Sequence, residues 1–203
     1  MTTWTTRRYK DNQERLEQPN QQWIDEGGRA EQVNLDGSTK TIITIDYAHH
    51  EVHGGSSFTT SDVVNVDTTT VKWMITTSSS SAHAHFQPIV ECTGEMYEVF
   101  TEGADRTDGT LLTEVNRERN SSKTSGLTIS RTPTGGTTDG ATTLRTLRVG
   151  STGVGSKTVA SGGSRANSEF VLKPSTKYIL SITTYANVYV SLHLDWYEHT
   201  SKE

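Results

Sequence analysis

The stretch VYVSLHLDWY (residues 188–197) decides the fold. Val188, Val190, Leu192, Leu194 and Trp196 fall on one face of an extended chain. Tyr189, Ser191, His193, Asp195 and Tyr197 fall on the other. A period of two with one apolar row is the pattern of a half-buried antiparallel strand. The same period recurs upstream. Ile43, Ile45 and Tyr47 alternate with polar residues, and so do Val71, Trp73 and Ile75, and later Tyr178, Leu180 and Ile182. Phe86–Val90 and Met96–Phe100 read as two further strands, and Cys92-Thr93-Gly94-Glu95 between them reads as a hairpin turn. Leu127–Ile129, Leu144–Val149 and Phe170–Leu172 complete the set, the last stopped by Pro174. Short strands of this kind, each with one buried face, imply an all-β antiparallel β-sandwich, jelly-roll-like in strand count.

Composition points the same way. The chain has 203 residues, of which 34 are Thr and 21 are Ser, 55 in all, and only 31% are hydrophobic. The β-branch of Thr favours strands, whereas Ser and Gly favour turns. A net charge of −5 argues against nucleic-acid binding, which needs a basic face to displace counterions, and against a polybasic membrane surface. No apolar run reaches the ~18 residues of a membrane span, and the first residues lack the apolar centre of a signal peptide. A cytoplasmic protein is therefore expected. Cys92 is the one cysteine, so no disulfide forms within the chain.

Residues 1–36 stand apart. They are rich in Gln, Asn, Glu and Arg, and Pro19 splits them. This stretch reads as an extended or partly helical N-terminal arm, with a short polar helix possible over 5–17. Trp4, Tyr9 and Trp23 are its candidate partner-binding side chains, since large aromatics in a polar segment need something to bury against. Residues 37–203 form a single sandwich domain. Its long loops, 101–126 and 130–168, are rich in charge or in Thr, Gly and Ser, and belong at a surface or under a partner.

The densest polar cluster is Tyr47-Ala48-His49-His50-Glu51-Val52-His53. Its His50-Glu51-Val52-His53 core is one residue short of the zinc-protease spacing. If the strand at Ile43 continues, His49, Glu51 and His53 share a face, and His83 and His85 share a face of another strand. His49, His53, His83 and His85 are thus the only metal candidates, and hydrogen-bonded packing at a sheet edge is the plainer reading, with no metal and no cofactor expected. No G-x-S-x-G nucleophile elbow occurs, and Gly150-Ser-Thr-Gly-Val-Gly155-Ser-Lys157 misses the phosphate-loop spacing. Cys92 reads as a buried, inert thiol. Arg117 and Arg119, alternating around Glu118, would present two parallel guanidiniums suited to a carboxylate of a neighbouring subunit. No catalytic residue stands out, and an enzyme is not expected.

IDYAHHEVHGGSSF (45–58), EVNRERNSS (114–122), SEFVLKPSTKYILSI (168–182) and LDWYEHT (194–200), in that order, resemble a group of tailed-bacteriophage virion structural proteins. The resemblance covers roughly residues 40–200 and leaves the arm outside it. It implies a β-rich, non-enzymatic protein that assembles on the phage particle, on either head or tail. The first expectation is a capsid decoration (cement) protein that binds the major capsid protein, as a homotrimer on the virion surface, after synthesis in the host cytoplasm. The alternative is a tail or fibre component that binds a host surface glycan through the Thr/Gly loops.

Overall fold

A computed structural model describes residues 22–24, 30–32, 47–79, 82–150, 160–162 and 169–200. The chain divides into two compact units, Met1–Asp46 and Tyr47–Glu203. In the first, β1 (Gln22–Ile24) pairs antiparallel with β2 (Ala30–Gln32), with Trp23 opposite Glu31. The possible helix over 5–17, and the strand expected at 43–46, lie outside the described residues.

The second unit opens with a helix where a strand was expected. α1 spans Tyr47–His53. Gly54-Gly55 explains it. The Ser56 amide donates to the Glu51 carbonyl (2.9 Å), the Gly55 amide donates to the Val52 carbonyl (3.0 Å), and Gly55 takes φ = 69°. This pair of bonds closes a helix C-terminus on a left-handed glycine. A side chain at Gly55 would also collide with Ser121, whose Oγ lies 2.4 Å from where a Cβ would stand.

Twelve strands follow: β3 (Ser57–Asp67), β4 (Thr70–Thr77), β5 (Ala82–Cys92), β6 (Met96–Glu102), β7 (Thr110–Leu111), β8 (Val115–Asn116), β9 (Leu127–Arg131), β10 (Thr142–Val149), β11 (Ala160–Gly162), β12 (Phe170–Leu172), β13 (Lys177–Thr184) and β14 (Asn187–Thr200). They build two antiparallel six-stranded sheets. Sheet I runs β10-β6-β13-β4-β9-β7; sheet II runs β11-β5-β14-β3-β8, with β12 also on β5. The pairing is nested. β3 pairs with β14, β4 with β13, β5 with β12 and β11, and β6 with β10. A hairpin of four strands out and four back, folded on itself into two sheets, is compatible with a jelly roll. β5 and β6 lie in different sheets, so Cys92–Glu95 is a corner between sheets and not the expected hairpin turn. Pro88, which has no amide to donate, sits on β5 between the stretches paired by β12 (84–86) and β11 (90–92).

The two inner faces close on Trp73, Ile75, Phe86, Val90, Phe100, Leu180, Leu192, Leu194 and Trp196, each at most 2% exposed. Phe100 is the hinge of this packing, with ring centroids 5.9 Å from Phe86 across the sandwich, 5.8 Å from Tyr178 and 5.3 Å from Phe170. Asp62 on β3 accepts from the Trp73 indole (2.9 Å) and from Arg131 (3.1 Å), linking the sheets with a charged hydrogen bond.

The long loops are more structured than their composition implied. Residues 101–126 carry β7 and β8, the second loop carries β11, and the strand expected at Leu144–Val149 forms as β10. Two-residue strands have no apolar alternation, so sequence periodicity does not reveal them. The segment between β6 and β10 folds back over the outer face of sheet I. There Met74, Ile179 and Ser130 are fully buried on the side away from the core, and the Thr101 hydroxyl donates to the Asp139 carbonyl. The Asp139 carboxylate accepts from Arg106 (2.8 Å) and Lys72. Burial works to raise its pKa, but these two cations outweigh that and hold it below the ordinary value. Asp105 accepts from the Thr138 and Thr137 amides (2.8 and 2.9 Å), and these bonds hold its carboxyl low.

A second charged pair between the sheets is buried more deeply. Glu98 on β6 has no exposed surface, and Arg145 on β10 donates to its Oε1 through Nε (2.7 Å) and Nη2 (2.5 Å). Arg145 also reaches the Pro88 carbonyl (3.5 Å) and lies 5.9 Å from the Phe170 ring centre. Burial pushes the Glu98 pKa up, against the pull of Arg145. The folded protein therefore holds this proton more tightly than the unfolded chain, and the Glu98 contribution to stability falls as pH rises through and above the ordinary glutamate range. Glu98→Ala strands a buried guanidinium and should cost about 3–5 kcal/mol in urea unfolding. Glu98→Leu combined with Arg145→Met should recover most of that loss. A near-neutral Glu98→Ala would show that the pair carries no structural load.

Candidate functional site

Residues 47–58, 114–123 and 194–200, distant in sequence, meet at one end of sheet II. α1 delivers Gly54-Gly55 and the start of β3. β8 pairs Asn116 with Phe58 and Val115 with Thr59. The Asn116 amide donates to the Gly55 carbonyl (2.9 Å), and Lys123 Nζ donates to the Gly54 carbonyl (2.8 Å) and Ser56 Oγ (3.1 Å). The end of β14 closes the corner, its Glu198 amide donating to the Ser56 carbonyl (2.8 Å). Glu169, from the segment before β12, accepts from the Tyr197 hydroxyl (3.2 Å).

An open cavity of about 700 Å³ lies at this corner, lined by His50, Glu51, Phe58, Lys123, Glu198 and His199 among others. Its Glu198 carboxylate is committed. It accepts from Ser125 Oγ (2.8 Å), the Gly126 amide (2.9 Å) and the Trp196 indole (3.0 Å). That leaves binding, not proton transfer, as the chemistry the pocket offers through this residue.

The candidate histidines fall into two groups. His49 and His53 lie one turn apart on α1, their Nε2 atoms 3.0 Å apart, because the segment is helical; the strand geometry expected for them does not form. His83 and His85 do alternate on the outer face of β5, as period two requires. Their partners come from elsewhere. The register of β14 on β5 sets Tyr197 opposite His85 and His199 opposite His83. His85 Nδ1 lies 2.5 Å from Glu169 Oε1 and 3.0 Å from the Tyr197 hydroxyl; its Nε2 lies 2.8 Å from His199 Nε2. The His85 and Tyr197 rings stack at 4.5 Å. Sequence reasoning missed His199 and Glu169, since only strand register brings them to His85. Among the described residues, no three or more His, Cys, Asp or Glu side chains are disposed to hold a metal together.

Of the candidate partner-binding residues, Trp4 and Tyr9 lie outside the described residues, and Trp23 is placed only as part of β1. Arg117 and Arg119 are exposed, but β8 ends at Asn116 and the chain bends there, so strand alternation does not set them on one face. Arg119 folds back to donate to the Asn116 carbonyl (3.2 Å). Cys92 is buried in the core, and burial pushes its thiol pKa up, which removes it as a nucleophile.

The corner depends on Glu198. Glu198→Ala withdraws the acceptor of the Gly126 amide and should lower stability by about 1–3 kcal/mol in urea unfolding. Glu198→Gln, which keeps one acceptor oxygen, should lose less. A change below about 0.5 kcal/mol for Glu198→Ala would show that this carboxylate does not hold the corner. Comparison with known proteins adds no relative: no protein-family model, no curated protein and no solved structure matches the chain.

Proposed function

We propose that the protein is a non-enzymatic structural component of a tailed-bacteriophage virion, and specifically a capsid decoration protein that binds the major capsid protein as a trimer. The observation that carries this reading is the asymmetry of the sandwich. The outer face of sheet I is covered by the chain's own β6–β10 segment. Among the described residues no such segment lies over the outer face of sheet II, which displays Val63, Tyr189 and Val171 at 62%, 57% and 56% exposure. Four of the seven histidines, His83, His85, His193 and His199, stand on the same face. Apolar side chains set among polar and titratable ones on a flat sheet suit a partner surface joined in register.

The resemblance of four ordered segments supplies the partner: a phage particle. Net negative charge keeps free subunits apart before assembly. On this reading the arm clamps the shell or a neighbouring subunit, with Trp4, Tyr9 and Trp23 as aromatic anchors, and Arg117 and Arg119 reach an acidic group across the interface.

The test is an image of the particle that locates the protein. Many copies spread over the head, with sheet II turned to the capsid, are expected. A few copies confined to one vertex would overturn the decoration assignment in favour of a tail or fibre component.

A further inference from the structure

The cluster around His85 has the parts of a transition-metal site. A metal-binding histidine needs one ring nitrogen unprotonated and aimed at the ion, and its other nitrogen fixed by a hydrogen bond, most often to a carboxylate. His85 meets both conditions. Its Nδ1 is 2.5 Å from the Glu169 carboxylate, which places the proton on that nitrogen. The Tyr197 hydroxyl binds the same Glu169 oxygen at 3.2 Å and stacks its ring on the imidazole, fixing the ring plane. Nε2 of His85 is then the unprotonated, accepting nitrogen, and Nε2 of His199 stands at hydrogen-bond distance from it, 2.8 Å, so that an ion would take the place of the proton that His199 holds between the two. His85 is largely shielded, its side chain 19% exposed, whereas Glu169 is 40% exposed. The carboxylate thus reaches the ring from the solvent side.

We infer that His85 Nε2 and His199 Nε2 together bind a divalent late first-row transition ion, zinc or copper, with Glu169 as the carboxylate behind His85 and water in the remaining positions. Imidazole nitrogen suits these ions. Zinc–nitrogen bonds of about 2.0–2.1 Å at a tetrahedral angle put the two nitrogens ~3.3–3.4 Å apart. The pair must therefore open by roughly half an ångström from its hydrogen-bonded spacing. His83, its ring centre 6.4 Å from that of His199, is not part of the pair. The site departs from the expectation of no metal, because His199 and Glu169 reach His85 only through the fold. It lies on the exposed face of sheet II, where an ion would cross-link β5, β14 and the segment before β12. It stands on this geometry and not on the virion assignment.

The experiment is titration of the tag-free full chain with Zn2+, followed by melting temperature and calorimetry, and with Cu2+, followed by electron paramagnetic resonance. The His49/His53 pair on α1 is removed in a His49→Ala background so that it does not contribute. One ion per chain, a rise in melting temperature and hyperfine splitting from two imidazole nitrogens are expected. His85→Ala or His199→Ala in that background should weaken binding at least tenfold, and Glu169→Gln by about 10–100-fold. Absence of saturable binding in the His49→Ala protein would overturn the inference, as would undiminished binding in His85→Ala. The nitrogen count needs no further variant, so a poorly folded substitution does not remove the test.

Discussion

The position of β14 is the constraint on which the rest of the structure depends. From Val190 to Tyr197 it is paired on both sides, with β3 along one edge and β5 along the other. Its inward row, Val190, Leu192, Leu194 and Trp196, is at most 2% exposed. Sequence neighbours do not make these pairs. β3 lies more than a hundred residues before its partner, so the chain closes long loops before this strand gains its hydrogen bonds. Once β14 is set between β3 and β5, the nested order of the inner pairs follows, as does the stacking of sheet I through Phe100. The outer row of β14 is set at the same stroke, and that row carries Tyr197 and His199 to His85.

The sandwich was legible in the sequence wherever apolar residues alternate without interruption. β4, β6, β13 and β14 all read correctly for that reason. β3 did not, although it is one of the longer strands. Its inward positions include Thr60 and Asp62, which find the Thr113 carbonyl and the Trp73 indole as partners, so polarity there hides burial. α1 failed in the other direction. Alternation into Tyr47 suggested a strand, while Gly54-Gly55, a helix stop, outweighed it. The Cys92–Glu95 corner has the residues of a hairpin turn, yet local chemistry does not say which sheet receives the next strand. The candidate site was half legible. His83 and His85 announced themselves by spacing; His199 and Glu169 are separated from His85 by 114 and 84 residues, and only register joins them.

The two faces of the sandwich have different fates. The β6–β10 segment spends its charged residues on the outer side of sheet I, where Asp105 and Asp139 fasten it to amides, to Lys72 and to Arg106. A long polar loop thus serves as a cover. Among the described residues, no such segment lies over the outer side of sheet II. That division is what makes an assembly role the most economical account of a hydroxyl-rich, acidic β-sandwich whose buried cysteine and committed carboxylates offer little chemistry.

Amide hydrogen exchange across the chain tests the placement of β14 most directly. The account requires the amides of Val190–Tyr197, together with those of β13 at the centre of sheet I, to be the slowest in the molecule and to open only in global unfolding. The short strands β7, β8 and β11 should exchange far sooner. Exchange of β14 as fast as these edges would contradict the nested order on which the fold, the exposed face and the histidine cluster all rest.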